Sequence, residues 1–206
     1  LHSRYDDVVE VAKSALKSVI DREKLPKELL QSCLRPILMN LTNPKGLNLS
    51  LLNGLGRLLE LLSNCFNVQL GTRLLNHLDY FAESDMFNNS ARYQDMNEKG
   101  ASKMKPDDEI GVVAKIIELF HLLPCNKSQI LEQLISKTLR FEENLPSINS
   151  YGGHGTSSSS PYRKPLIKFL NVAPTETVEF FYCRLLQSHK FSQMFRSILR
   201  AKECDR

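Results

Sequence analysis

The chain has 206 residues, 42% hydrophobic and 24% charged, with a net charge of +4, which is enough for one substantial core or several stacked helical units. No run reaches the roughly 18 apolar residues of a membrane span, since the longest, 111–123, is broken by Lys115, Glu118 and His121. The charge is too mild to argue for nucleic acid by itself, and the five cysteines (Cys33, Cys65, Cys125, Cys183, Cys204) form no CxxC pair, which points to reduced thiols of the cytosol or nucleus.

From Tyr5 to Ile20, Val8, Val9, Ala12, Ala15, Leu16 and Val19 form one helical face, and Asp6 and Asp7 suit the dipole at its start. Lys24-Leu25-Pro26 breaks the chain. A second helix runs from about Lys27 to Leu41 with Leu30, Leu34, Ile37 and Leu41 inward. Pro36 removes the hydrogen bond to the Ser32 carbonyl, so a kink or a late start is expected. Asn43-Pro44-Lys45-Gly46 marks a turn. In the third helix Leu51, Leu55, Leu58, Leu62 and Phe66 step by four and three along the buried side. Asn53, Arg57, Glu60 and Asn64 line the opposite, wet side. On this phase Leu58→Asp unfolds the stack and Arg57→Ala is nearly silent. Gly54 and Gly56 each cost roughly 1 kcal/mol of helix propensity, so a neighbouring backbone is expected to come close there. A fourth helix, from about Val68 to Phe81, buries Leu70, Leu74, Leu75, Leu78 and Phe81.

Residues 83–106 are polar and aperiodic, an exposed insertion. Asp107 can cap a fifth helix with Ile110, Val113, Ala114, Ile117 and Phe120 inward, ended by Pro124. Ser128 offers a cap for the sixth, with Leu131, Leu134, Ile135 and Leu139 inward. A second polar insertion, 144–161, carries a Gly/Ser-rich core whose serines, Ser157 to Ser160, have the composition of a phosphorylated loop. Three shorter helices follow. Pro165–Asn171 is the first, and Pro174–Gln187 has Val178, Phe181, Tyr182 and Leu185 inward. Lys190–Lys202 carries Phe191, Met194, Phe195, Ile198 and Leu199. Cys33, Cys65 and Cys183 fall on apolar faces, where a thiol acts as a small hydrophobe.

Helix starts roughly 20 residues apart imply a unit of about 40 residues, the length of HEAT or armadillo repeats. Alternating β-branched runs are missing. The fold class is therefore all-α, an α-solenoid of HEAT/armadillo-like stacked helical hairpins. Residues 1–206 form one segment of it, and the opening Leu1 suggests a piece cut from something longer.

Candidates for chemistry are few. His2, His77, His121, His154 and His189 lie apart, with no ligand spacing, so no metal is expected. Gly152-Gly153-His154-Gly155 follows no strand and precedes no GK[ST], so it reads as linker rather than phosphate loop. The acid pairs Asp6-Asp7, Asp107-Asp108 and Glu142-Glu143 sit at helix ends as solvated caps. Nucleophile-elbow and kinase motifs are absent, so no enzyme, cofactor or small-molecule ligand is expected. One asymmetry stands out: from Tyr162 to Arg206 nine basic residues face four acids. Arg163, Lys164, Lys168, Arg184, Arg196, Arg200 and Lys202 form a candidate basic face for an acidic peptide or a phosphate backbone. An ordinary solvated face accounts for them more simply.

The string Ser32-Cys33-Leu34-Arg35-Pro36-Ile37-Leu38-Met39-Asn40-Leu41, then Asn43-Pro44, Gly54-Leu55 and Arg57-Leu58-Leu59-Glu60-Leu61-Leu62, resembles the helical solenoid of the TRRAP family. These are giant pseudokinase scaffolds of the phosphatidylinositol-3-kinase-related class. Phe120-His121-Leu122-Leu123-Pro124, Pro174-Thr175-Glu176 with Phe180-Phe181, and Arg196-Ser197-Ile198-Leu199 with Ala201-Lys202 extend the likeness in the same order. The polar segments 83–106 and 149–161 match nothing in the family pattern. The resemblance implies a HEAT-repeat fragment of a nuclear, non-catalytic coactivator scaffold. Its partners would be other subunits of SAGA-type histone acetyltransferase complexes and acidic transcriptional activators. No membrane is expected and nucleic acid is disfavoured. The alternatives are a nucleic-acid-contacting solenoid, or a HEAT segment of an active related kinase or transport receptor.

Overall fold

The computed structural model describes residues 5–22, 27–62, 68–83, 106–124, 126–145, 160–186 and 188–202. The expected insertions at 83–106 and 144–161 fall almost wholly outside these, as do Cys65, Phe66, Cys125 and Cys204. Among the described residues the α-helices are, in order, α1 Asp6–Arg22, α2 Lys27–Asn40, α3 Leu49–Leu62, α4 Val68–Glu83, α5 Pro106–Leu119, α6 Lys127–Glu143, α7 Arg163–Leu170, α8 Pro174–Arg184 and α9 His189–Arg200. Among the described residues there is no strand.

The helices stack in two layers. α3 packs on α1 and α5, and α5 on α7, while α6 packs between α4 and α8. Helices α1, α3, α5 and α7 thus form one row and α4, α6 and α8 another, joined where α4 meets α5 and α6 meets α7. One continuous apolar cluster from Leu34 to Ile198 fills the space between them. That arrangement is what amphipathic helical pairs adopt when none can cover its own apolar stripe alone. α9 closes the series against α8, with Phe181 stacked on Phe195 at 4.8 Å and Phe180 edge-on to Phe191 at 5.8 Å.

The elements match the sequence reading, but several details differ. In α3 the fully buried leucines are Leu52, Leu55 and Leu59, with Leu62 close behind, while Leu51 and Leu58 are only partly buried. The face is therefore turned from the Leu51/Leu58 phase. Gly56 faces side chains rather than backbone: a Cβ there would meet Leu119 Cδ2 at 3.1 Å and Lys115 Cε at 3.9 Å. Gly56→Ala gains about 1 kcal/mol of helix propensity against a small displacement of the Leu119 methyl, so its urea midpoint should stay near wild type. Gly56→Val adds branches at the same contact and should cost about 1–3 kcal/mol.

Pro36 is accommodated inside α2. The Asn43–Gly46 turn is a short 3-10 helix, Pro44–Gly46, capped by the Asn43 side chain, which accepts from Lys45 N–H at 3.0 Å. Asp107 lies within α5, which starts at Pro106, and Asn126 rather than Ser128 caps α6, accepting from the Ser128 N–H at 3.2 Å. α8 is also turned: Thr177, Phe180 and Phe181 are buried, whereas Val178 and Tyr182 face outward. Thr177 tolerates burial because its hydroxyl donates to the Ala173 carbonyl at 2.7 Å. Cys183 is an exposed free thiol, not a core residue. In α1 Val9 is buried while Val8, Val11 and Val19 are exposed, as is Tyr5 just before it.

Candidate interaction surface

Ion pairs join successive helices on both layers. On the odd layer Lys13 of α1 reaches Glu60 of α3 at 2.8 Å, and Lys168 of α7 pairs with Glu118 of α5, which Lys115 also holds at 3.0 Å. Hydrogen bonds that the Lys13 ammonium donates to Glu60 and then Glu10 raise its pKa above the usual value. Burial works to raise Glu118, but Lys168 and Lys115 outweigh it and hold the carboxyl below its usual range. On the even layer Lys137 of α6 pairs with Asp79 of α4, and Arg184 of α8 with Glu132 of α6 at 2.9 Å. Arg184 also lies 4.1 Å above the Phe180 ring. Lys190 of α9 pairs with Glu143 at the end of α6.

A cleft of about 290 Å³ opens between α1, α3 and α5, lined by Lys13, Arg57, Glu60, Lys115, Glu118 and His121 among others. Its charges alternate, and both carboxylates are engaged by lysines. Such a cleft offers polar contact but no nucleophile–base pair. Among the described residues no group of three or more His, Cys, Asp or Glu could hold a metal ion. No helix described is long and apolar enough to cross a membrane.

The seven candidate basic residues divide by structure. Arg163 forms a two-point fork on Glu142 at 2.5 and 2.7 Å, Lys168 is held by Glu118, and Arg184 by Glu132. These three act between helices of the stack. Lys164 is exposed on the first turn of α7. Arg196, Arg200 and Lys202 are exposed at the far end and pair with no described acid.

Two buried polar groups have a role that the sequence did not assign them. His77 in α4 is buried, and its Nε2–H donates to the Leu41 carbonyl at 2.7 Å, tying α4 to the end of α2. Burial is the main reason its pKa lies below the usual value. Tyr162 is fully buried against Phe141, ring centroids 5.7 Å apart, and its hydroxyl has no hydrogen-bond partner among the described residues. Burial first, then the Glu142 and Glu109 carboxylates, push its pKa up. Tyr162→Phe removes a buried hydroxyl that gains nothing, so it should match or exceed wild-type stability by up to about 1–3 kcal/mol. A urea titration checks it, and a clear loss would reveal a partner for that hydroxyl.

Comparison with known proteins places this stack. The model of the Tra1 HEAT repeat ring region matches residues 1–206. The chain is 38% identical over 96% of its length to the "Probable transcription-associated protein 1" of Dictyostelium discoideum. It is 35% identical over 86% of its length to the "SAGA complex/NuA4 acetyltransferase complex subunit Tra1" of Schizosaccharomyces pombe. It is 26% identical over 98% of its length to the human "Transformation/transcription domain-associated protein". The chain spans about 4–5% of the length of these relatives. Matched along its whole length, and folded as two layers of stacked helices, the chain belongs to the Tra1/TRRAP family as part of its HEAT repeat ring.

Proposed function

We propose that this segment is a non-catalytic part of a transcription coactivator scaffold. In this reading the whole protein is a nuclear pseudokinase that holds subunits of a histone acetyltransferase complex and receives acidic transcriptional activators. What supports it most is the match of the Tra1 HEAT repeat ring to the full chain, on a fold whose charges serve mainly to register one helix on the next. The mechanism is geometric: buried leucine fixes the spacing of the helices, and their outer faces present fixed side chains to partners. Arg196, Arg200 and Lys202 are the cations of the expected basic face best placed for an acidic partner, being exposed and unpaired among the described residues.

Deleting the segment from the full-length protein tests this. Acetyltransferase subunits and activators should be lost from pull-downs, and an unchanged set of captured proteins would overturn the reading. The same three cations support a second reading, contact with a nucleic-acid backbone. Phosphate neutralisation makes affinity fall log-linearly with salt, so the absence of DNA binding at low salt removes it.

A further inference from the structure

Ser160 and Pro161 form the turn that leads into α7. Ser160 is half-buried and Pro161 exposed. The Ser160 hydroxyl oxygen accepts from the Tyr162 N–H at 3.3 Å, and its carbonyl accepts from the Arg163 N–H at 3.1 Å. The order Ser160-Pro161-Tyr162-Arg163 puts a proline directly after a hydroxyl residue and a guanidinium three places on. Proline-directed kinases select this order: the proline has no N–H to leave unpaired in the substrate groove, and the cation meets an acidic site beyond it. We propose that Ser160 is phosphorylated by a kinase of this class, and that the modification loosens the joint between α6 and α7.

The same turn is a structural joint. Tyr162 is buried against Phe141 of α6, and Arg163 grips Glu142, one residue further along that helix. A kinase takes its substrate extended, so Tyr162 and Arg163 must come away from α6 before Ser160 can react. The docked state is held there by ring packing and the Arg163 fork, with no hydrogen bond from the Tyr162 hydroxyl to any described residue. Opening of the joint therefore gates the reaction.

In the step itself the Ser160 Oγ attacks the γ-phosphorus of ATP. The Oγ–P bond forms as the bond to the bridging oxygen of the leaving ADP breaks, and the hydroxyl proton passes to the kinase's catalytic carboxylate. The product carries close to two negative charges three residues before Arg163. It competes with Glu142 for the guanidinium, and the first turn of α7 has no acidic residue to repel it. Arg163 turned toward the phosphate no longer joins α7 to α6.

The test uses full-length protein, a purified proline-directed kinase and ATP, with phosphate located by peptide mass spectrometry. Ser160 should be modified, and Pro161→Ala should abolish it. Glu142→Gln weakens the Arg163 fork without touching the recognised residues, and should raise the rate several-fold. Arg163→Lys keeps the cation but not the fork and should also react faster, which guards against a folding defect in the first variant. After modification, amide exchange across Arg163–Leu170 should quicken. No phosphate on Ser160 in wild type or Glu142→Gln overturns the proposal, as do equal rates across all three proteins.

Discussion

Leu59→Asp is expected to melt the α1–α3–α5 stack. Leu59 is fully buried in α3, whose flanks meet α1 on one side and α5 on the other. Truncating such a leucine alone costs about 2–5 kcal/mol, and a carboxylate with no partner adds the penalty of burying or forcibly protonating a charge. The sum exceeds roughly 5 kcal/mol, comparable with the whole stability of a small domain. Leu58→Asp, one residue away, should cost clearly less, because Leu58 is only partly buried and its carboxylate can turn toward water. Hydrogen exchange of the α3 amides in the full-length protein reads both. A larger effect at position 58 than at 59 would mean that the helix faces the core with the other phase.

That pair of leucines shows where the sequence is legible and where it is not. The described helices other than α7, for which the sequence shows only an extent, are visible as a 3.6-residue period, because stacked helices need an apolar stripe. The phase is harder when leucine is nearly continuous. Leu51, Leu52, Leu55, Leu58, Leu59 and Leu62 cover so wide an arc that two registers fit equally, and only the packing of α5 against Gly56 selects one. In α8 the ambiguity comes from a polar residue. Thr177 looks like surface until its hydroxyl is paired with the Ala173 carbonyl, and Val178 and Tyr182 then turn outward. At α6 both Asn126 and Ser128 are good caps by residue type, and the extended backbone of Asn126 makes it the cap.

The basic residues were legible as a charge excess but not as partners. Arg163, Lys168 and Arg184 find acids 21, 50 and 52 residues away in sequence. No local spacing rule reaches that far. Packing of α7 on α5, of α8 on α6 and of α7 across onto α6 brings them together, so the pairing follows from the fold rather than from any helix alone. Of the seven, Arg196, Arg200 and Lys202, on α9 and just beyond it, stay exposed and pair with no described acid. That group is smaller than the composition suggested.

His77→Leu should remove a pH dependence as well as stability. In the native stack the Leu41 carbonyl is buried and takes its hydrogen bond from His77 Nε2–H, which fixes the neutral tautomer. The variant leaves that carbonyl unpaired, a loss of about 1–3 kcal/mol at neutral pH. The pH effect has a definite sign. In the unfolded chain His77 titrates near 6.5, while burial, aided by Arg73 one turn earlier and opposed by the Leu41 hydrogen bond, holds it lower in the fold. Above 6.5 both states are neutral and the contribution is complete. As the pH falls between the two values, the unfolded chain binds a proton that the folded chain refuses, so stability declines. Wild type should therefore lose part of its urea midpoint between about pH 7.5 and about pH 5.5, across the ordinary histidine range. His77→Leu, already weaker, should change less over that interval. An equal acid loss in both proteins would assign the effect to carboxylates and leave His77 charged or accessible in the native stack.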